Sequence, residues 1–243
     1  MEAAVKEPID LIYSIHRSRR RSLSIKVVQG EVRVNAPHGL AEREIQQFVS
    51  AKANWINRHL ARQQQQLSKL AERLWENGET LQYLGETYPL WVHLGAKQSH
   101  CEFNDNGFQV ALSNRVKQPQ KNTQKLVEDC YKALAKQWLD HFIHSWQVAE
   151  LQPSSHDIAS FTGKWGSCSA TRAIRMSWRL WLAPEYVVRY VVIHELCHLK
   201  HFNHSKAFWQ LVEQHDPNYP AAEAWLKRHG ITVLNPHYTA FAN

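Results

Sequence analysis

The sequence predicts an α+β fold, in which a β-rich N-terminal half is followed by a mixed C-terminal half that carries the candidate chemistry. Near the N-terminus, apolar residues recur at every second position in short runs, which is the period of half-buried strands. Toward the C-terminus they recur at three- and four-residue spacing, as on one face of a helix. Hydrophobic residues make up 44% of the 243 residues, so the chain has enough apolar material for a packed core.

The N-terminal half is predicted to contain strands around one long helix. Leu11, Leu23 and Val32 begin three alternating runs, each of which fits a strand with one buried face. The predicted elements are three strands within 10–37 with a turn at Gln29-Gly30, a helix from Ala41 to about Leu74 that is followed by a break at Asn77-Gly78, and strand-like runs at 80–94 and 101–112.

The C-terminal half is predicted to be mostly helical. Its apolar spacing indicates a long helix first, then strands, then three helices that close the chain. The predicted elements are a helix from about Asn122 to Val148, strand-like runs within 156–182, and helices from Pro184 to Phe202, Ser205 to His215 and Tyr219 to His229, with Gly230 as the stop of the last helix.

These elements suggest four segments along the chain. A tail, 1–9, precedes a β-rich region, 10–117, that contains one long helix. A catalytic region, 118–235, follows, and a second tail, 236–243, ends the sequence. Whether the two central regions form one continuous unit is left open at this point.

The net charge of +7 makes anionic partners plausible, namely nucleotides, nucleic acid or an acidic protein surface. The basic run from His16 to Arg21 could contact phosphates, but a solvated hairpin is the more usual structure of such a run. Charge alone names no substrate, and the sequence does not indicate an oligomeric state.

The chain is expected to be cytoplasmic and not membrane-bound. It has no run of about 18 apolar residues, which a spanning helix requires, and its first residues do not resemble a signal peptide. Its four cysteines lack C-x-x-C spacing and are expected to be reduced thiols.

The motif H-E-x-x-H occurs at His194-Glu195-Leu196-Cys197-His198, within an apolar helical run. Residues four apart share one face of a helix, about 6 Å apart along its axis, so His194 and His198 can converge on one zinc ion. Glu195 would accept a proton, as general base, from a zinc-activated water. Chance occurrence is disfavoured, because these polar groups would be costly to bury among Val, Ile, Leu and Tyr without a ligand.

A catalytic zinc site needs a third protein ligand and one open position. Downstream candidates are His201, His204, Glu213, His215, Asp216 and Glu223. On a continuous helix, His201 would lie about 10 Å from His194 along the axis, too far to share an ion. His204 follows Asn203, which tolerates the left-handed conformation at a helix end. A turn there would return His204 to the metal, so His204 is the predicted third ligand.

Three blocks of this sequence resemble the YgjP-like metallopeptidase domain family of metal-dependent hydrolases. The blocks are Arg20-Arg21-Ser22-Leu23-Ser24-Ile25 with Asn35-Ala36-Pro37; Trp165-Gly166-Ser167-Cys168-Ser169 with Met176-Ser177-Trp178-Arg179-Leu180 and Leu182-Ala183-Pro184; and His194-Glu195-Leu196-Cys197-His198-Leu199 with Asn203-His204-Ser205 and Phe208-Trp209. The resemblance implies a zincin-like catalytic core that binds one Zn²⁺ per chain through His194, His198 and His204. More distantly, the chain is similar to SprT-type zinc proteases, which act on DNA-bound proteins.

The segment Trp165-Gly166-Ser167 is a candidate for substrate binding, because a strand there could hold an extended substrate through its backbone. A tight turn with Trp165 packed in the core is an equal alternative. Arg179, which interrupts an apolar run, is a candidate for a charge in the cleft, or else pairs with a carboxylate. Members of the family commonly have Lys-Ser-Arg before this segment, whereas this chain has Thr162-Gly163-Lys164.

Three functions compete. The first is a zinc metallopeptidase that acts on a protein or peptide, with Glu195 as general base. The second, which the resemblance also implies, is a metal-dependent pyrophosphatase or phosphohydrolase acting on a nucleotide such as UTP, although such chemistry usually relies on Mg²⁺ and carboxylates. The third is a nucleic-acid-binding protein with a structural zinc, in which Glu195 would be dispensable and binding would weaken steeply with salt.

Overall fold

The computed structural model describes residues 11–28, 31–67, 70–161, 163–234 and 238–240. The predicted turn at Gln29-Gly30 and the predicted tail 1–9 lie outside these residues. The chain divides into two compact units, of which the first comprises residues 1–71 and 238–243 and the second residues 72–237. Residues 72–117 thus pack within the second unit, together with the predicted catalytic region, 118–235.

The first unit contains a three-stranded sheet and two helices. Its strands are β1 (Tyr13–Ser18), β2 (Ser24–Val28) and β3 (Glu31–Pro37), in the order β1-β3-β2. Strand β3 is parallel to β1 and antiparallel to β2. Its alternation buries Val32, Val34 and Ala36 against the fully buried Ile45 and Ile56 of the helices.

The single helix predicted from Ala41 to Leu74 is wrong in its extent. The structure has α1 (Glu42–Ala51) and α2 (Ala53–Leu67), followed by a short strand, β4 (Leu70–Glu72), that pairs with a strand near the C-terminus. At Lys52 the backbone N–H bonds to the carbonyl of Val49, and this tighter turn interrupts the helix.

The first sheet of the second unit has four strands. They are β5 (Thr80–Tyr83), β6 (Glu86–Ala96), β7 (His100–Asn104) and β8 (Gly107–Ser113), in the order β5-β6-β8-β7. Each predicted strand-like run is therefore two strands joined by a tight turn. In the first turn, Leu84 and Gly85 both have positive φ angles, 51° and 92°, as type I′ hairpins require. This turn contacts the residue that precedes the C-terminal helices, because a Cβ on Gly85 would lie 3.0 Å from the Cα of Pro184.

Helix α3 (Pro119–Ser145) has one face buried in the second unit. It starts three residues before the predicted Asn122, because Pro119 occupies a first-turn position where its missing N–H costs nothing. The buried side chains recur every four residues: Thr123, Val127, Tyr131, Ala135, Leu139 and Ile143. The Tyr131 hydroxyl donates a 2.6 Å hydrogen bond to the carbonyl of Gln82 in β5.

A second sheet lies before the C-terminal helices. Its strands β9 (Ser155–Ala159), β10 (Gly166–Cys168) and β11 (Ala173–Ser177) have the order β10-β11-β9. The prediction of strand through residue 182 is wrong, since Trp178–Leu182 form a 3₁₀-helix in which all five residues are buried. A strand that faces solvent on one side would expose every second residue.

Three helices, α4 (Glu185–Cys197), α5 (Lys206–His215) and α6 (Tyr219–Leu234), follow. Two predicted ends are wrong: α4 ends at Cys197, not Phe202, and α6 continues through Gly230 to Leu234. Gly230 permits close packing, because a Cβ there would lie 3.2 Å from the Trp165 ring. Strand β12 (Tyr238–Ala240), the partner of β4, completes the described elements.

The fold is mixed α+β, with most strands in the N-terminal half and mainly helices toward the C-terminus, so the predicted fold class is confirmed. Within the described part of the chain, no helix has the length and hydrophobicity that a membrane span requires.

Candidate metal centre

Helix α4 and its C-terminal cap position the first two histidines. His194 lies in the last turn of α4 and His198 is its capping residue, whose N–H bonds to the carbonyl of His194. Their ring centroids are 4.9 Å apart. The two imidazoles therefore share one end of the helix, as the i, i+4 spacing predicts.

A loop after α4 brings His204 back to the same place. His198 Nδ1 is 2.9 Å from the carbonyl oxygen of His201, which fixes the start of this loop. At its other end, the Ser205 hydroxyl accepts a hydrogen bond from the N–H of Phe208 and caps α5. Between these two points His204 places its Nε2 atom 3.1 Å from Nε2 of His194.

The three histidines fit a zinc ion. One ligand atom from each lies within 4.8 Å of the others; around a tetrahedral zinc with bonds of 2.0–2.1 Å, such atoms would be about 3.3 Å apart. Burial, helped by His198 and His204, lowers the pKa of His194 to about 3, so its imidazole is neutral, which is the form that binds metal. No other group of three potential ligands of this kind occurs in the described ranges.

Phe208 packs against all three histidine rings and forms the apolar side of this cluster, called here its apolar floor. It is fully buried, and its ring centroid lies 4.9, 4.5 and 4.8 Å from those of His194, His198 and His204. Such packing restricts the rotamers of the three imidazoles. Because metal affinity depends on preorganised ligands, this floor favours a defined binding geometry.

Glu195 follows His194 in α4 and lies in a largely dry environment. Its side chain is only 8% exposed, and burial raises its pKa to about 7, while the nearby Lys164 acts in the opposite direction. Strand β10 passes directly over it: a Cβ on Gly166 would be 2.6 Å from Cγ and 2.7 Å from Oε1 of Glu195. Only a glycine leaves room for the carboxylate at this distance.

The other predicted substrate-binding residues of this segment make different contacts. Trp165 packs its ring against Gly230 of α6 and is partly buried against the core. Ser167 pairs with Arg175 in β11 and, by strand alternation, faces the side opposite to Gly166. Of the three residues in the predicted segment, Gly166 is therefore the one that the structure places against Glu195; a substrate role for all three stays a prediction.

Arg179 is buried, 7% exposed, and donates from Nη1 to the carbonyl of Phe161 at 3.1 Å. The Ser177 hydroxyl donates to the same oxygen at 3.2 Å. The two bonds fix the chain shortly before Trp165 and Gly166, so Arg179 supports the strand that covers Glu195. Burial also lowers the pKa of this guanidinium. Its predicted role as a cleft charge stays a prediction.

The contact between Tyr190 and Nδ1 of His194 was not predicted from the sequence. The Tyr190 hydroxyl is 3.5 Å from His194 Nδ1 and donates to Oε1 of Glu223 at 3.2 Å. Glu223, considered above as a third ligand, is not part of the three-histidine cluster. The i, i+4 spacing of Tyr190 and His194 was a signal that could have indicated their contact.

The two cysteines of the site are protonated thiols. Burial raises the pKa of Cys197 to about 12. Burial, and then the charge of Glu195, also raise the pKa of Cys168. Because thiolates, not thiols, bind zinc and attack substrates, neither cysteine is expected to act as ligand or nucleophile.

The zinc affinities of two variants should show whether His204 or His201 is the third ligand. We expect His204→Ala to weaken zinc binding by at least about 100-fold, since one of three protein ligands is lost. His201→Ala should bind zinc like the wild type, because only the backbone carbonyl of His201 touches the cluster. Competition with a chromophoric chelator measures both constants. Equal affinities of the two variants would contradict the assignment of His204.

Comparisons with known proteins show the family of the chain. Part of the chain is 41% identical over 58 residues to a UTP pyrophosphatase of Escherichia coli (strain K12), a stretch that is 24% of this chain and 35% of that protein. The aligned stretch thus covers about a third of that curated relative. No solved structure matches. The family described as YgjP-like, metallopeptidase domain, matches residues 21–229. Because this match covers most of the sequence, the chain belongs to the YgjP-like metallopeptidase domain family.

Proposed function

We propose that this protein is a zinc metallopeptidase in which His194, His198 and His204 hold the metal and Glu195 is the general base. Membership of the family supports a metal-dependent hydrolase. The observation that carries the finer proposal is the convergence of three imidazoles, of which burial keeps that of His194 neutral. The same helix also carries the buried carboxylate of Glu195. A structural zinc site is usually closed by four protein ligands, whereas a catalytic site has three and an open position.

The chemistry divides between the metal and Glu195. A zinc ion held by the three histidines would supply Lewis acidity, which would polarise the scissile group and lower the pKa of a water molecule. Glu195 takes the proton from the attacking water and delivers it to the leaving group. Its pKa, raised to about 7 by burial, suits a group that must both accept and release a proton near neutrality.

The position of β10 favours a peptide as substrate. This strand is at the edge of its sheet, in the order β10-β11-β9, so its outer backbone groups are available to pair with an extended chain. It also contains Gly166, which contacts Glu195. A peptide added along β10 would therefore pass close to the general base.

A nucleotide is the second candidate substrate, and Lys164 is the observation that favours it. The ammonium group lies 4.2 Å from the centre of the Phe161 ring, on an exposed residue two positions before Gly166. Its charge acts on Glu195, so a substrate phosphate next to the scissile bond would meet a cation there. The relative named UTP pyrophosphatase is consistent with such a substrate.

Glu195→Gln should keep the zinc and lose turnover. Removing a general base costs about 10²- to 10⁴-fold in kcat, whereas the three histidines are unchanged. Glu213→Gln, an exposed residue of α5, is the matched control and should retain full activity. Both variants and the wild type would be assayed for metal content and against unfolded proteins, DNA-bound proteins and nucleoside triphosphates. A Glu195→Gln protein with undiminished turnover would exclude Glu195 as the general base.

Gly166→Ala should displace the Glu195 carboxylate and leave the zinc affinity unchanged. The new Cβ would overlap the Glu195 side chain, so the carboxylate must move, and a displacement near 1 Å costs about 100-fold in rate. Zinc affinity should remain within about threefold of the wild type, because no ligand is altered. Gly39→Ala, where a Cβ meets nothing within 4 Å, is the control. Unchanged kcat for Gly166→Ala would show that β10 does not constrain the base.

Lys164→Gln should distinguish the two substrate classes. If the substrate is a nucleotide, KM should rise about fivefold, the value of one exposed charge pair; with an uncharged peptide it should be unchanged. Arg175→Gln is the control, because its guanidinium lies 5.5 Å from the same Phe161 ring but on the strand face opposite to Gly166. Equal KM values for both variants with a nucleoside triphosphate would remove the support that Lys164 gives to the nucleotide.

A further inference from the structure

A hydrogen-bonded pair lies behind His194, on the side away from the other two histidines. Tyr190, one helical turn before His194 and 4% exposed, places its hydroxyl 3.5 Å from Nδ1 of that imidazole. The same hydroxyl donates to Oε1 of Glu223 in α6 at 3.2 Å. Nε2 of His194 points the other way, toward His204.

The direction of each proton follows from the donors and acceptors present. A tyrosine hydroxyl has one proton, and Tyr190 donates it to Oε1 of Glu223. The proton of Tyr190 therefore points to Glu223, and the hydroxyl oxygen is left as an acceptor for Nδ1–H of His194. This arrangement selects the tautomer that has its proton on Nδ1, so the lone pair of Nε2 is free to bind the metal.

His198 has a matching partner, since its Nδ1 faces the carbonyl oxygen of His201 at 2.9 Å. Two of the three imidazoles thus have an acceptor at Nδ1 and present Nε2 to the cluster. The acceptor for His198 is a backbone group, which no side-chain substitution removes. The acceptor for His194 is a side chain, so its contribution can be measured.

Ring packing keeps Tyr190 in place. The Tyr190 ring stacks on that of Tyr219, with centroids 6.2 Å apart, and the Tyr219 ring stacks on that of Trp209, with centroids 5.5 Å apart. The Tyr190 ring also meets the His194 ring edge-on, with centroids 5.8 Å apart. Since the ring cannot easily rotate in this stack, the hydroxyl is held at a fixed position relative to Nδ1. Tyr219 starts α6 and Glu223 lies one turn later, so both contacts tie this helix to the metal centre.

We propose that Tyr190 and Glu223 are positioning residues, which orient His194 and fix its tautomer for metal binding. The proposal rests on the metal centre described above and assigns to α6 a part in metal affinity. Partners of this kind typically contribute 10- to 100-fold to the affinity for the metal.

Tyr190→Phe deletes only the hydroxyl and keeps the ring. We expect zinc affinity, measured by chelator competition, to fall about 10- to 100-fold. Tyr186→Phe removes a hydroxyl from an exposed tyrosine one turn earlier in α4 and should bind zinc like the wild type. Glu223→Gln keeps an acceptor for the Tyr190 proton and should lose less affinity than Glu223→Ala. Thermal unfolding of the metal-free proteins shows whether each variant is folded.

NMR of the histidine ring nitrogens in the zinc-loaded protein tests the tautomer of His194 directly. A purely structural role of Tyr190 would leave the Nδ1–H resonance of His194 unchanged. Nδ1–H of His194 should give a protected proton resonance in the wild type, and this resonance should be lost or exchange-broadened in Tyr190→Phe. Wild-type zinc affinity together with an intact resonance in a folded Tyr190→Phe protein would overturn the proposal. A wild-type protein that binds no zinc would instead mean that the metal centre itself is wrong.

Discussion

The burial of the end of helix α4 is the constraint on which the site depends. Nine of its residues, from Val187 to Cys197, are buried, so His194 and Glu195 lie in a medium of low dielectric constant. Desolvation disfavours the charged form of each group. It lowers the pKa of His194 to about 3 and raises that of Glu195 to about 7. Both shifts have the sign that a metal ligand and a general base require.

This burial is costly for stability, because polar groups lose their hydration. The structure compensates with specific neighbours. Tyr190 and the His201 carbonyl each face an Nδ1 atom, and Phe208 provides apolar contact to all three rings. Burial raises the pKa of Glu195, and its described contacts include no comparable set of donors to offset this effect. The site thus keeps one polar group poorly compensated, and that group is the proposed base.

The sequence was most informative where a short-range rule decided the geometry. The spacing of His194 and His198 depends only on the helix period, and the return of His204 requires only that the helix ends before it. In the structure the three imidazoles converge, with the turn at His198 and not at Asn203; metal binding by them stays a prediction. Ser205, which caps α5, was an available signal for where the next helix begins.

The sequence was least informative where contacts distant along the chain decided the outcome. Gly230 reads as a helix stop, but it lies inside α6, because it packs on Trp165 from a segment 65 residues away. The alternation around Arg179 reads as a strand, yet the segment is a buried 3₁₀-helix whose arginine donates to Phe161. In each case packing against residues distant in the sequence overrode the local propensity. Such contacts cannot be inferred from the neighbouring residues alone.

The segment from Phe161 to Gly166 joins these long-range contacts to the chemistry. Ser177 and Arg179 hold its first residue, and the N–H of Ser177 donates to the carbonyl of Trp165 at 2.7 Å. Phe161 and Trp165 therefore cannot shift without breaking these bonds. Near Trp165, two features act on Glu195: the backbone of β10 at Gly166 and the charge of Lys164. An edge strand recognises an extended peptide through its backbone, whereas an ammonium group recognises an anion. The choice of substrate thus reduces to which of these two neighbouring features contacts the reacting molecule, and the metal centre would serve either.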